Sequence, residues 1–80
     1  MQTYDDIPIK FGLRVRQLRQ ETGMSQEAFA AKCGLDRTYI SSLERGRRNV
    51  SLKNIAAISI ALDISIAMLF EGISPDESTR

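Results

Sequence analysis

Apolar residues along this chain recur every three or four positions, and the recurrence is broken by glycines and short polar residues, the mark of successive amphipathic helices. Phe11, Val15 and Leu18 fall on one face of a first helix, while Lys10, Arg14, Arg16, Arg19 and Gln20 occupy its other faces. Asp6 stands where an N-cap belongs, and Pro8 suits a first turn whose N–H groups have no intrahelical partner. Gly23 predicts an end near Thr22, with Met24 dropping into the core and Ser25 capping a second helix. Phe29, Ala30 and Cys33 recur in that helix, and Ile40 and Leu43 in a third that closes at Arg45 and Gly46. Ser51 is placed to cap a fourth helix, with Leu52, Ile55, Ile58, Ala61 and Leu62 expected to face inward. Asp63 takes a helix-ending position where glycine would be easier, and Ser65 starts a short fifth helix through Phe70, before Gly72. No alternating strand pattern, internal repeat or low-complexity run interrupts this. The pattern predicts an all-α, five-helix single domain spanning residues 1–80, with a core over about 7–72 and frayed polar ends.

The stretch from Gln26 to Leu43 organises the rest. Gly34 and Leu35 separate its two apolar stripes; glycine adopts the left-handed conformation that ends a helix, and Asp36 two places on can accept backbone N–H bonds as the next N-cap. Ala30, one turn before the bend, is small enough for the two helices to cross steeply, as in a helix-turn-helix. Arg37, Thr38, Tyr39, Ser41 and Ser42 are left off the buried face, and four of these five carry hydroxyls. An arginine among hydroxyls is a donor and acceptor set able to read base edges in a major groove.

A formal net charge of +1 does not announce a nucleic-acid partner, so the distribution of charge has to carry the case. Between Arg37 and Lys53 the chain places Arg37, Arg45, Arg47, Arg48 and Lys53 against Glu44 alone, while Asp5, Asp6, Asp76 and Glu77 lie near the ends. The middle is therefore basic. The single cysteine, Cys33, has no internal disulfide partner, reads as a small inward hydrophobe and suits a reducing cytosol. With no histidine and no Cys/His cluster, no metal site and no cofactor are expected. The longest apolar stretch, Ile55 to Ile66, is broken by Ser59, Asp63 and Ser65 and is too short to span a bilayer, and the acidic N-terminus does not resemble a signal peptide. Without an inward pair of carboxylates or a glycine-rich phosphate loop, an enzyme is the weakest functional class.

The fourth and fifth helices carry more apolar surface than one small core needs. Ile60, Ile64, Ile66, Met68 and Phe70 remain after the inward stripe is assigned. A helix apolar nearly all round is normally covered, and the simplest cover is a second copy related by a two-fold axis. These five residues are the expected dimer interface.

The run SQEAFAAKCGLDRTYISSLERG resembles the helix-turn-helix of the phage repressor and Cro-like (Xre) family, with Gln26, Phe29, Ala30, Gly34, Ile40, Leu43 and Glu44 kept in register over roughly residues 9–72. Within it, LDRTYISSLERGRRNVSL is similar to small controller proteins of restriction-modification systems. The resemblance implies a repressor-like bundle whose second and third helices form the helix-turn-helix and whose last helices dimerise. It also implies an ion pair between Arg19 and Glu44. Asp63, Ile60 and Met68 depart from the family's usual glycine and charged residues; the last two favour the dimer.

On this reading Arg37, Thr38 and Ser42 are the base-contacting candidates. Arg37 can donate twice to guanine, and Thr38 can offer a methyl to thymine and a hydroxyl to a base or phosphate. Ser42 shares the face of Thr38, one helical turn on. The alternative for Arg37 and Thr38 is a solvated helix surface. Gln26, Tyr39, Ser41, Arg45, Arg47, Arg48, Asn49 and Ser51 are candidates for the DNA backbone or groove edge; Gln26 and Ser51 lie at helix starts, where free N–H groups favour phosphate, although capping alone would explain Ser51. Tyr39 could equally pack beside the first helix. The function implied is a sequence-specific transcriptional regulator, acting as a homodimer on a pseudo-palindromic operator of double-stranded DNA. By resemblance it is a controller acting at its own promoter, with two dimers side by side and RNA polymerase as a further partner. A phage or plasmid repressor and an antitoxin-like interaction module are the competing readings.

Overall fold

A computed structural model of the chain describes residues 6–75, so most of the frayed polar ends expected on either side of about 7–72 lies outside the described residues. Five helices follow one another: α1 (Ile7–Thr22), α2 (Gln26–Cys33), α3 (Arg37–Glu44), α4 (Leu52–Leu62) and α5 (Ile66–Leu69). Among the described residues there is no strand. The helix limits follow from local chemistry. The hydroxyls of Ser25, Ser51 and Ser65 each accept a hydrogen bond from the backbone N–H three residues on, at 3.0, 3.2 and 3.0 Å, satisfying one of the donors a helix start leaves open.

Two expected caps are absent. Asp6 has helical backbone angles and makes no cap bond; its carboxylate lies 3.4 Å from Lys10 Nζ instead. Asp36 has the extended backbone of an N-cap, but its side chain accepts no bond from the first turn of α3. At the other ends, Gly34 closes α2 with φ 74°, and its N–H and that of Leu35 return to the carbonyls of Ala31 and Ala30. Asp63 closes α4 in the same left-handed region, at φ 58°, a conformation that glycine would hold without steric strain.

Phe29, Ile40, Leu43, Ile58, Leu69 and Val15 form the fully buried centre, to which every helix contributes. α3 packs against both α1 and α2, and α4 against α2, α5 and α1. The approach of α1 to α3 is set by Gly12. A Cβ there would collide with the Leu43 carbonyl oxygen and lie 2.9 Å from that of Glu44, and backbone atoms cannot step aside as a side chain tip can.

Leu52 is corrected by the structure: it is 83% exposed rather than inward. The buried stripe of α4 runs through Ile55, Ile58, Ser59, Ala61 and Leu62; Leu52 shares the angle of Ser59, seven residues on, but as the first residue of α4 it stands beyond the part of the helix that the core covers. Ser59 takes part in that stripe because its hydroxyl is satisfied internally, donating to the Ala56 carbonyl at 2.9 Å. Phe70 stacks on Phe11 with ring centroids 5.0 Å apart. Arg14 donates to the carbonyls of Met68 at 2.7 Å and Leu69 at 3.3 Å, neutralising open acceptors at the end of α5.

Candidate nucleic-acid interface

α3 is eight residues long, and its two faces differ sharply. Ile40, Leu43 and Glu44 are buried, whereas Arg37 and Thr38 are exposed and Tyr39, Ser41 and Ser42 half-buried. With 100° between successive residues, Thr38 and Ser42 lie nearly opposite the buried stripe. The helix is thus seated by two aliphatic side chains and offers its arginine and hydroxyls outward.

The seat is locked by a buried polar network. Arg19 Nε and Nη2 donate to the two carboxylate oxygens of Glu44 at 2.6 and 3.0 Å, the two-pronged geometry that makes arginine–carboxylate pairs directional. The third guanidinium nitrogen donates to the Met24 carbonyl at 2.9 Å. Gln26 Nε2 donates to Glu44 Oε1 at 3.0 Å. One carboxylate therefore joins the end of α1, the first residue of α2 and the last residue of α3. The ion pair implied by resemblance is present, and it is buried rather than a surface contact.

This geometry refines the places of several candidate residues. The Gln26 amide is engaged inward, leaving its other amide atom and its helix-start position for an external group. Tyr39 is partly buried against the core; its hydroxyl accepts a hydrogen bond from Asn54 Nδ2 of α4 at 3.2 Å, and Arg48 lies over its ring, 4.9 Å from the centroid. Ser41 is tied by Arg45, whose Nη1 donates to its hydroxyl at 2.8 Å. The Ser51 hydroxyl caps α4 by accepting from the Asn54 N–H, which leaves its own O–H to donate. Arg45, Arg47, Arg48 and Asn49 are all exposed, on the connector that leaves α3 through backbone bonds from Gly46 to Leu43 and from Arg47 to Ser42. The basic cluster and the hydroxyl-bearing face of α3 are therefore adjoining.

Of the five candidate dimer residues, Ile60, Ile66 and Met68 are 76%, 48% and 46% exposed. Ile64 and Phe70 are partly buried against the core. The proposed contact thus has an exposed centre in three residues, with two others that also serve the fold. Reading the sequence alone missed Gly12, Asn54 and the Gln26–Glu44 bond. Gly12 was signalled: a glycine inside a helix is about 1 kcal/mol worse than alanine, so it needs a packing reason. The other two carry no sequence signal, since both depend on which helices cross.

Cys33 is half-buried beside the core. Burial pushes its thiol up from the ordinary value to about 11, with Lys32 opposing the shift. It is not a reactive thiolate. Among the described residues no helix is long and apolar enough to cross a membrane.

Comparison with known proteins agrees with this geometry. A helix-turn-helix family model matches residues 15–69. The chain is 51% identical over 73 residues to the control protein C.MunI of a Mycoplasma species, covering 90% of this chain and 99% of that protein. It is 54% identical over 61 residues to the control protein C.BamHI of Bacillus amyloliquefaciens, covering 75% of each. Among solved structures, the restriction-modification controller protein C.AhdI from Aeromonas hydrophila superposes with a TM-score of 0.80 at 50% identity, covering 88% of this chain and 100% of that one. The chain therefore belongs to the Xre-like helix-turn-helix family of DNA-binding transcription regulators, with controller proteins of restriction-modification systems among its relatives.

Proposed function

We propose that this protein is a restriction-modification controller that binds a pseudo-palindromic operator at its own promoter as a homodimer. The observation that carries the reading is the two-sidedness of α3. Its aliphatic face and Glu44 are buried, while Arg37 and Thr38 project outward beside the exposed Arg45, Arg47 and Arg48. Arg37, Thr38 and Ser42 read bases; Gln26, Tyr39, Ser41, Arg45, Arg47, Arg48, Asn49 and Ser51 line the groove edge and backbone. Phosphate contacts of this second kind fix register and carry no sequence information themselves. The apolar stripe of Ile60, Ile66 and Met68, with Ile64 and Phe70 behind it, pairs two copies so that their α3 helices enter successive major grooves about 34 Å apart. Two such dimers side by side, and contact with RNA polymerase, extend the same scheme.

The test is a titration of the protein against the DNA upstream of its own gene and against a scrambled duplex of the same length, with sedimentation of the free protein alongside. Tight binding confined to the upstream duplex, by a species of twice the chain mass, is the expected result. Equal binding to both duplexes, or a monomer at the concentrations that bind, would overturn it.

A further inference from the structure

The geometry points to Asn54 as a positioning residue for DNA binding: from α4 it holds the Tyr39 hydroxyl of α3, and so fixes the ring on which Arg48 of the connector rests. The inference deepens the DNA-binding reading above and rests on it. Three elements meet in this cluster. Asn54 Nδ2 donates to Tyr39 Oη at 3.2 Å in a half-buried setting, and Arg48 Cζ stands 4.9 Å from the centre of the Tyr39 ring. Asn54 is itself held, because its backbone N–H donates to the capping hydroxyl of Ser51. Arg48 is exposed and lies in the connector after α3; without a platform its long side chain would sample many rotamers. A guanidinium over an aromatic face within about 6 Å is attracted to it, so the ring limits that freedom before DNA arrives.

Neither Asn54 nor its hydrogen bond needs to touch DNA for this to matter. A tyrosine turns about two side-chain torsions, and the bond at its tip removes one swing of the ring away from α4. Holding a charged side chain near its bound position lowers the ordering penalty on association. The role therefore predicts an effect on affinity without an effect on the number of phosphates neutralised. That combination separates positioning from direct contact, because a lost phosphate contact flattens the salt dependence by about one unit of slope.

The variants are Asn54→Leu, which keeps the size and removes the donor, and Tyr39→Phe, which removes the acceptor. Asn54→Leu is expected to weaken binding to the upstream duplex by about three- to tenfold, the size of ordering one long side chain, and Tyr39→Phe by at least as much, because its hydroxyl is also a groove-edge group, with the salt slope unchanged in both. The double variant should bind no more weakly than Tyr39→Phe alone, since the bond that Asn54→Leu removes is already lost there. Arg48→Ala in parallel should flatten the slope. In the DNA-free protein, the ring-current shift of the Arg48 δ-methylene protons should shrink in Asn54→Leu, with the thermal midpoint recorded to separate this from unfolding. Additive losses in the double variant, wild-type affinity in Asn54→Leu, or an unmoved Arg48 resonance would each overturn the inference. A wild-type protein that ignores the upstream duplex would overturn the DNA-binding reading as well, whereas binding by wild type with no change in Asn54→Leu overturns the inference alone.

Discussion

Arg19 and Glu44, twenty-five positions apart, meet through two parallel hydrogen bonds of 2.6 and 3.0 Å with both side chains withdrawn from solvent. The pair fixes the far end of α3 against α1, and the bonds from Arg19 to the Met24 carbonyl and from Gln26 to Glu44 add the start of α2 to the same knot. Removing one partner strands the other charge in a dry site. Arg19→Ala or Glu44→Ala is expected to lower stability by about 3–5 kcal/mol, measured by urea unfolding, while Arg19→Met with Glu44→Leu should lose much less. If the single variants were as stable as the double, the buried-charge account would be wrong.

Gly12 faces the carbonyls of Leu43 and Glu44 too closely for any side chain. Alanine is the better helix former, so an exposed site would gain from the change. Here Gly12→Ala should instead lose about 1–3 kcal/mol, the usual penalty for forcing packed elements apart. Circular dichroism melts of the two proteins would read the sign directly.

Arg37→Ala should weaken binding to the upstream duplex by about 1–3 kcal/mol and leave the scrambled duplex almost unaffected. Neutralising Arg45 or Arg47 should weaken both duplexes alike and flatten the salt dependence by about one unit each. Fluorescence anisotropy at several salt concentrations distinguishes the two classes. An equal effect of Arg37→Ala on both duplexes would remove its base-reading role.

The exposed apolar side chains divide into those expected to pair two copies and others, Ile9, Leu13 and Leu52, that are not. Ile60→Glu or Met68→Glu should yield a folded monomer in sedimentation, with DNA affinity reduced because the second half-site is lost. Leu52→Ser, at a position 83% exposed and outside the proposed contact, should change stability by no more than about 0.5 kcal/mol and leave the mass of the free protein as it is. Phe70 is a poor probe, since its ring also stacks on Phe11.

Burial raises the Cys33 thiol to about 11 in the folded chain, whereas the unfolded chain ionises near its ordinary value of 9.0. The unfolded state therefore loses its proton first as pH rises, and stability present below that value declines through the window up to the folded one. Comparing wild type with Cys33→Ala isolates this from other alkaline titrations. The difference in unfolding free energy should shrink steadily between those two pH values, and thiol-specific reagents should react slowly until the protein unfolds.

Periodicity alone determined the order and type of the helices, and small capping residues determined most of their ends: Ser25, Gly34, Ser51 and Ser65 act within one turn of their own position, so their chemistry is local. The exposure of Arg37 and Thr38 on α3 was equally legible, because Ile40 and Leu43 seat the helix and these two residues lie off that face. The tertiary structure alone decided what depends on helices crossing. It made Gly12 a contact point, turned the Gln26 amide toward Glu44, placed Asn54 under the Tyr39 hydroxyl, and left Leu52 in solvent although its spacing suited the core. A helical repeat gives the angle of a side chain about its own axis; whether another helix stands at that angle is a property of the packed whole.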